Sequence, residues 1–550
     1  MKNFAAGKIL ASPKSFTLGE GPFLVLFSFF VLALVFWRCL DRTVPIWDGA
    51  AHLVDTYNLK EALVAPGPLE KKIYALFTCS GWCPPLFNWV HCLILMSPIP
   101  YSVADILANL LFFAIGLISL YKLGCQVLGD KVVAVIAMAI YCMLPTVCAI
   151  THNKGLIDTP LASMCFLALW LVARWNSAPS LANALVAGCA IGFTCLTKQT
   201  GAIYVAPAVL LVLLQRLLAR NFRKVAQFVC VVGVVAIPYI SWLLLNGSNI
   251  TRMVFSYGQV KSLPASGFQN WLGNMEGCWV HVVNCITVPV ATLFVFSLFN
   301  FPAQRKLWLP ASTLLGLLIL STDNWGNYQV RYVFPVLGYL TLSVAALLVR
   351  FWRTGWLLPR ILVVAFGCYL STIYFIFNFT PYPFPRCAAV GLLDPKFNSL
   401  ACRWTGVNPS EPYPLEPVAY NRLLGRIQSE QGNHQDKTTL VVAVDTPNCA
   451  LTSLAYLAKQ RGIPLELSSL FTDEGVNLYR CNPENVKLDP DWYVTTENDQ
   501  GSHANHFKSD QELENYQELK RYFESSGKFA LTGKFLLADR KGYVVLFKKM

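Results

Sequence analysis

Long stretches without any charged residue constrain this chain more than any other feature. Val132–Ile150, Val225–Thr251 and Gly277–Gln304 each contain no Asp, Glu, Lys or Arg. Runs of about 18 or more apolar residues are long enough to cross a bilayer as helices. Charged residues make up 14% of the chain, against roughly 25% in soluble domains. A soluble core would need buried helices of this length with no polar face, so the sequence predicts an α-helical polytopic membrane protein.

The number of spans depends on one short segment. Pro84–Pro98 is apolar but only 15 residues long, and it contains Asn88, Trp89 and His91. A segment of this length is more typical of a re-entrant or interfacial helix than of a crossing one. Without it, we expect eleven transmembrane helices, at 20–40, 103–122, 132–150, 159–175, 180–197, 199–215, 225–246, 282–302, 307–322, 332–349 and 361–379.

The distribution of basic residues supports eleven spans and sets the orientation. With eleven, the N-terminal segment 1–19 and the loops on the same face together carry 15 Lys and Arg residues, against Glu20 and Asp130. The positive-inside rule places that face in the cytoplasm. If Pro84–Pro98 crossed, these loops would divide between the two faces. Basic residues in short loops indicate topology, so no nucleic acid partner is expected despite the net charge of +13.

The two ends of the chain differ in character. The apolar run Pro22–Trp37 is too long for a cleaved signal peptide, so we expect it to remain as the first helix. The transmembrane part spans 20–379 and includes a long first outer loop, 41–102. From 380 to 550 the chain becomes richer in charge, which predicts an extracytoplasmic linker (380–418) and a small α/β domain.

The expected α/β domain has four strand-like runs and two helical stretches. Most of the 18 cysteines lie in apolar runs, where a thiol behaves as a small hydrophobe. Cys387–Cys402 and Cys449–Cys481 could form disulfides if this region faces an oxidising compartment. The strands are expected at Thr439–Val444, Trp492–Thr496, Phe529–Leu537 and Tyr543–Lys548, and the helices near 450–460 and 510–525.

Two carboxylates stand out at the outer membrane face. Asp48 follows the first span, with His52 four residues later and so on the same face of a helix. Asp158 directly precedes a span, with Pro160 in its first turn. Each could serve only as a helix cap. The topology, however, places both at the same face and depth, where they could share an acceptor, a proton or a divalent metal such as Mg²⁺ or Mn²⁺.

Two cations belong to the same face. Lys198 is isolated between two uncharged runs, and a Lys between membrane helices is costly enough to mark a function. Arg331, followed by Tyr332, opposes the positive-inside trend, and a guanidinium can bind two phosphate oxygens. A snorkelling Lys and an Arg in contact with lipid headgroups are the alternatives. We expect His91, Asp105 and Asn109 to be packing or interfacial polar residues.

Four segments together resemble the GT-C superfamily of membrane glycosyltransferases, in particular the branch of protein O-mannosyltransferases and the bacterial aminoarabinose transferase. The resemblance covers roughly residues 20–350. The segments are Trp47-Asp-Gly-Ala-Ala-His52, Pro84-Pro-Leu-Phe-Asn-Trp89, Leu156-Ile-Asp-Thr-Pro-Leu161 with the later Leu196-Thr-Lys198, and Arg331-Tyr-Val-Phe-Pro335.

The resemblance implies roles for these residues. Asp48 would be the general base, with His52 nearby and Asp158 as the second acidic residue, while Lys198, Arg331 and Tyr332 would hold the donor phosphate. The family often has a second acidic residue directly after the first. This chain has Gly49 there, which weighs against a metal held by paired carboxylates.

The sequence therefore predicts an inverting glycosyltransferase that takes a sugar from a polyprenyl-phosphate donor. The acceptor could be a lipid, a glycan or a protein. The membrane would be the inner membrane of a bacterium or the endoplasmic reticulum of a eukaryote. A flippase for lipid-linked glycans is the main alternative, although its polar residues should lie at mid-membrane. A structural membrane protein is the other; it predicts that Asp48 and Asp158 are dispensable. No Walker loop, GxGxxG or HExxH motif is present, so ATP-driven transport and zinc proteolysis have no support.

Overall fold

The computed structural model describes most of the chain. The residues described are 20–40, 44–45, 47–152, 154–260, 286–322, 330–379, 418–431, 438–443, 451–469, 472–473, 479–480, 490–497, 517–518, 521–536 and 543–550. Cys387, Cys402, Cys449 and Cys481, most of the 380–418 linker and all of segment 1–19 lie outside them.

The described part before residue 380 is helical. One 3₁₀ turn, Val330–Val333, precedes α17. The helices are α1 Gly21–Leu40, α2 Trp47–Val64, α3 Leu69–Thr78, α4 Leu86–Leu95, α5 Tyr101–Leu128, α6 Lys131–Met143, α7 Pro145–His152, α8 Asp158–Ser177, α9 Leu181–Thr197, α10 Thr200–Leu218, α11 Phe222–Val235, α12 Ile237–Val260, α13 Val288–Leu298, α14 Phe301–Lys306, α15 Trp308–Ala311, α16 Thr313–Thr322, α17 Phe334–Arg353 and α18 Leu357–Phe379.

Helices lie within all eleven predicted spans, but several of the spans are broken, two of them at prolines. The predicted span 132–150 divides into α6 and α7 at Pro145, and 225–246 bends by 42° between α11 and α12, just before Pro238. Proline lacks the N–H that continues the helical ladder and clashes with the preceding turn. Among the described residues five helices are long and apolar enough to cross a bilayer, or six with the bent pair, so eleven crossings remain a prediction.

The first outer loop contains three helices that are shorter or more polar than the spans. Within Pro84–Pro98, the helix α4 has ten residues, which gives a length of about 15 Å, half the thickness of the hydrocarbon core. A helix this short fits the interpretation that the segment does not cross the bilayer.

The helical body has an inside and a lipid-facing outside. In α17 and the turn before it, 94% of the most apolar 18-residue stretch is buried within the protein, whereas in α18 only 22% of the most apolar stretch is buried. The outer helices α1, α10 and α18 therefore present Leu, Val and Phe side chains over most of their surface. Apolar surface on this scale is stable in lipid and unfavourable in water. The chain is an integral membrane protein.

The end of the body away from α2 carries its own ion pairs. Lys131 lies 3.2 Å from Glu20, and Arg353 lies 2.7 Å from Asp130. Glu20 directly precedes α1, Asp130 and Lys131 lie where α5 turns into α6, and Arg353 ends α17. The predicted cytoplasmic loops at these three places therefore share one end of the body.

A mixed sheet forms the C-terminal domain. Its strand order is β2-β1-β5-β7-β6, parallel from β2 to β5 and antiparallel from β5 onward, and a separate β3–β4 pair is antiparallel. Strands lie at the four predicted places, and α20 lies at the predicted helix near 450–460. The elements α19, β2, β3 and β4 were not predicted, and most of the predicted helix near 510–525 lies outside the described residues. The elements are α19 Val418–Gln431, β1 Thr438–Val442, α20 Leu451–Gln460, β2 Leu465–Ser469, β3 Thr472–Asp473, β4 Tyr479–Arg480, β5 Trp492–Glu497, β6 Phe529–Leu536 and β7 Tyr543–Lys549.

Helix α20 attaches this domain to the first outer loop. Buried Ser453 donates a 2.9 Å hydrogen bond to the carbonyl of Pro45, just before α2. At the other end of the contact, Lys459 pairs with Glu61 of α2 at 2.6 Å. The C-terminal domain therefore packs along the helix that begins with Trp47 and Asp48.

Candidate active site

Four charged residues from separate parts of the chain meet at one end of the helical body. Asp48 lies in the first turn of α2, Asp158 begins α8, Lys198 lies between α9 and α10, and Arg331 lies in the 3₁₀ turn before α17. All four were singled out in the sequence, and the structure brings them into one cluster.

The cluster alternates in charge. Arg331 lies 2.6 Å from Asp48 and 3.8 Å from Asp158, and Lys198 donates a 2.8 Å hydrogen bond to the other oxygen of Asp158. Two carboxylates and two cations balance formally. Charges taken out of water need such partners, and the pairing explains how Asp158 and Lys198 can be almost completely buried.

A close backbone approach holds two of the contributing segments together. Gly155, just before α8, has a φ of +79°, and an added Cβ would lie 2.2 Å from the carbonyl oxygen of Gly49. No residue with a side chain fits this distance. The glycine lets the segment that leads into Asp158 lie directly on the first turn of α2, one residue after Asp48.

The structure weighs against a simple capping role for Asp158. The N-cap residue of α8 is Ile157, and no side chain caps this helix. The Asp158 carboxylate is instead committed to Lys198, which lies in extended backbone at the end of α9. The alternative of a snorkelling Lys198 also fails, since its side chain is 9% exposed and points to a carboxylate.

Tyr332 contributes through its ring. The Lys198 ammonium lies 4.9 Å from the centre of the Tyr332 ring, within the range of a cation–π contact. The backbone carbonyl of Tyr332 accepts a hydrogen bond from Tyr204 of α10. Tyr332 therefore holds the Lys198 ammonium beside Arg331.

His52 is buried on the same helix as Asp48, one turn further on. Its ring stacks on Trp82 at 4.6 Å, with an angle of 14° between the planes. Burial, which outweighs the attraction of Asp48, lowers the pKa of His52 to about 4. The imidazole is neutral near pH 7 and adds no charge to the cluster.

Asp48 is the most accessible member of the cluster, with about a third of its side chain exposed. Burial opposes the charged form, but the attraction and hydrogen bond of Arg331, with a smaller contribution from Lys198, outweigh it and hold the pKa of Asp48 below its usual value. Asp48 is therefore a carboxylate whose basicity is restrained by its partner.

The cluster does not fit a divalent metal. Within the described part of the chain, no three His, Cys, Asp or Glu side chains lie close enough to hold an ion. The cations that lie beside Asp48 and Asp158 are the Arg331 guanidinium and the Lys198 ammonium. Asp48 and Asp158 are therefore neutralised by side-chain cations and do not fit the divalent metal expected from the sequence.

Three neighbours of the cluster were not predicted. Asp55 follows Asp48 and His52 at the next position on the same helical face, a spacing that could have revealed it. Gln199 is adjacent to Lys198 and bonds to the backbone of Trp82. Trp82 carried no signal in the sequence, because its contacts with α2 and with the α9–α10 turn exist only in the fold.

Comparisons with known proteins agree with this architecture. A family model described as dolichyl-phosphate-mannose-protein mannosyltransferase matches residues 83–243, which include Asp158 and Lys198. No curated protein matches the chain.

Solved structures resemble nearly the whole chain. ArnT from Cupriavidus metallidurans bound to undecaprenyl phosphate has a TM-score of 0.57 at 15% identity, over 96% of this chain and 98% of that one. The same protein in the apo state has a TM-score of 0.54 at 15% identity and the same coverage. The Archaeoglobus fulgidus oligosaccharyltransferase in the apo form scores 0.47 at 13% identity, over 88% and 70% of the two chains.

The fold is that of a polytopic membrane protein with the GT-C architecture. The resemblance stated from the sequence, to the branch of protein O-mannosyltransferases and the aminoarabinose transferase, is confirmed by the family model and by the ArnT structures.

Proposed function

We propose that this protein is a glycosyltransferase that moves a sugar from a polyprenyl phosphate to an acceptor hydroxyl at the extracytoplasmic membrane face, with inversion. The observation that carries the proposal is the convergence of Lys198 and Arg331 beside Asp48 and Asp158. Two cations next to an accessible carboxylate are what a reaction needs when its leaving group is a phosphate.

The cations keep hydrogen-bonding capacity for a phosphate. The Nε of Arg331 is shielded from solvent and has no partner among the described residues, and an ammonium such as that of Lys198 has three donors. Charge-assisted hydrogen bonds from these groups strengthen as negative charge develops on the oxygens they contact. Lys198 and Arg331 would therefore stabilise the departing lipid phosphate.

The reaction balances without a cofactor. The acceptor oxygen forms a bond to the anomeric carbon while the bond from that carbon to the phosphate oxygen breaks. The acceptor proton passes to Asp48, acting as general base, and the lipid phosphate leaves with one additional negative charge. Attack on the face opposite the leaving group inverts the anomeric centre.

The Asp48–Arg331 pair suggests how donor binding prepares the base. Without a donor, Arg331 holds the pKa of Asp48 down. A donor phosphate would compete for the guanidinium and weaken that pair, so the basicity of Asp48 would rise when the donor is present.

The comparisons and the charge distribution support the setting. The structurally similar ArnT binds undecaprenyl phosphate, and the matching family model is described by a dolichyl-phosphate-mannose donor. The cluster lies at the end of the body opposite the basic loops, which supports an extracytoplasmic site under the positive-inside rule. That face belongs to the inner membrane of a bacterium or to the endoplasmic reticulum of a eukaryote.

The test is sugar transfer by purified protein in lipid nanodiscs. Decaprenyl phosphates carrying radiolabelled mannose, glucose, galactose or arabinose serve as donors, and total membrane extract supplies acceptors. We expect transfer by wild type, a loss of about 100-fold or more in Asp48→Asn, and partial retention in Asp48→Glu, which keeps a base. Full transfer by Asp48→Asn would exclude this residue as the base, and no transfer from any donor would reject the enzymatic proposal in favour of lipid flipping.

A further inference from the structure

A second polar surface extends from the charge cluster along α2. Asp48, His52 and Asp55 occupy positions i, i+4 and i+7 and therefore share one helical face. Asp55 lies beyond the ion pairs and accepts hydrogen bonds from the side chains of Ser80 and Trp82. The face thus leads from the proposed base to the segment between α3 and α4.

Trp82 is fixed there from three directions. Its ring is nearly parallel to that of His52 at 4.6 Å, and its indole N–H reaches Asp55. Its backbone carbonyl accepts a 3.4 Å hydrogen bond from Gln199. The indole is nevertheless only half-buried, so a rigid aromatic surface borders the cluster. Such a surface suits the apolar C–H face of a sugar ring.

The groups around Trp82 have unused hydrogen-bonding atoms. Nδ1 of His52, Oδ2 of Asp55, Oε1 of Gln199 and Oγ1 of Thr200 are shielded from solvent and have no partner among the described residues. Buried polar atoms are nearly always paired in folded proteins. Since all four of these atoms can accept a hydrogen bond, they suit a compact ligand with several O–H donors.

The position of Gln199 and Thr200 beside Lys198 indicates where a sugar would lie relative to a bound phosphate. Gln199 and Thr200 directly follow Lys198 in the α9–α10 turn. A ligand whose phosphate contacts Lys198 would therefore bring its next group close to Gln199, which is hydrogen-bonded to Trp82.

We propose that His52, Asp55, Trp82 and Gln199 form a saccharide subsite, in which Trp82 supports the face of a sugar ring and the other three bind its hydroxyl groups. The inference rests on the proposed function and deepens it, because it assigns sugar recognition to a region outside the charge cluster. The same chemistry suits the donor's sugar or a saccharide acceptor, and the experiment separates the two.

The test compares lipid phosphates with and without a sugar. Binding of decaprenyl phosphate and of its mannose, glucose, galactose and arabinose derivatives is measured for wild type, Asp55→Asn, Gln199→Met and Trp82→Leu. Trp89→Leu is the matched control, since Trp89 lies on α4 and donates to the Leu76 carbonyl in the same outer loop. Thermal unfolding of each variant reports whether it is folded.

If the subsite holds the donor sugar, wild type binds one sugar derivative about tenfold or more tightly than decaprenyl phosphate. The three subsite variants then lose that preference but still bind decaprenyl phosphate, and Trp89→Leu keeps both. If it holds the acceptor, lipid binding is unchanged in the variants, and the KM for methyl glycoside acceptors rises about tenfold.

Two results would overturn the subsite. One is variants that match wild type in both measurements; the other is an equal loss of decaprenyl phosphate binding and sugar preference, which indicates a structural role only. A wild-type protein that binds no decaprenyl phosphate would instead reject the proposed function itself, and the subsite with it. The two failures are therefore distinguishable.

Discussion

Tyr456 of the C-terminal domain donates a 2.8 Å hydrogen bond to the carboxylate of Asp105 in α5, 351 positions earlier in the chain. The same carboxylate accepts from Tyr57 of α2 at 3.0 Å and lies 2.9 Å from His91 of α4. Asp105 is completely buried. Three elements of the membrane part and one of the C-terminal domain therefore converge on one carboxylate.

The two tyrosines are strong and permanent donors in this network. Burial, together with the negative charge of Asp105, raises the pKa of Tyr57 and of Tyr456 far above their usual value. Both phenols stay protonated at every physiological pH. Tyr57 belongs to the helix that carries Asp48. The shared hydrogen bonds to Asp105 therefore connect the C-terminal domain to the helix of the proposed base.

We expect Tyr456→Phe to destabilise the protein by about 1–3 kcal/mol, because a buried carboxylate loses one of its donors. Apparent Tm measured by intrinsic fluorescence in detergent is the readout. Lys459→Gln is the matched control on the same helix, since its pair with Glu61 is largely exposed and should be worth less than about 1 kcal/mol. Equal effects of the two substitutions would show that the Asp105 network does not join the domain to the membrane part.

The sequence revealed the members of the charge cluster because charge is rare in its surroundings. Lys198 is the only cation between two long apolar runs, and Arg331 opposes the expected distribution of charge. The pairing was not predictable, because Asp158 and Lys198 are 40 positions apart and each also had an acceptable local role, as a helix cap or a snorkelling side chain.

The Asp105 network was underestimated for a similar reason. His91 and Asp105 were expected to be ordinary packing or interfacial residues, and Tyr456 lies in an amphipathic helix where an aromatic residue normally indicates a core. Nothing local to any of the three indicates that a domain beyond residue 400 supplies the hydrogen bond. Contacts between distant elements carry this information, and a single sequence does not record them.

The buried Asp158–Lys198 pair should show strong energetic coupling. Asp158→Asn and Lys198→Met each leave a charge without its partner in a buried position, and each should cost about 3–5 kcal/mol. The double variant removes both charges, so its cost should be smaller than the sum by about 1–3 kcal/mol. The free energy of unfolding of wild type, the two single variants and the double variant is measured in mixed micelles with increasing SDS. Additive losses would show that the ammonium and the carboxylate do not stabilise one another.

Gly155→Ala should disrupt the active site more than its size suggests. The added Cβ would lie 2.2 Å from the Gly49 carbonyl and 2.8 Å from Leu53, so α2 must move away from the start of α8. We expect a loss of sugar transfer and a lower Tm. Gly129→Ala is the control, because Gly129 also has a positive φ, +71°, but nothing within 4 Å. It should cost only the backbone strain, about 1–2 kcal/mol, and retain transfer. Equal effects on transfer would contradict the close packing of Gly155 on Gly49.

The pH dependence of stability should reflect two opposing groups on α2. Burial lowers the pKa of His52 to about 4. The contribution of neutral His52 to the free energy of unfolding is therefore fully present above pH 6.5 and is lost as the pH falls towards 4. Burial raises the pKa of Asp55 to about 7. The contribution of protonated Asp55 to the free energy of unfolding is therefore fully present below pH 3.8 and is lost as the pH rises through 7. Between pH 7 and 4, acid therefore destabilises the protein through His52 and stabilises it through Asp55.

Substitutions of His52 and of Asp55 should change the dependence of the apparent Tm on pH in opposite directions. His52→Gln removes the unfavourable protonation, so its apparent Tm should fall less than that of wild type between pH 7 and 4. Asp55→Asn removes the favourable one, so its apparent Tm should fall more. Scans at half-unit intervals of pH test both variants, and the charge cluster is common to all three proteins. Parallel curves would show that the pKa values of His52 and Asp55 do not differ between the folded and unfolded protein, and the surroundings of Trp82 would then have to be more hydrated than the packing of His52 and Asp55 indicates.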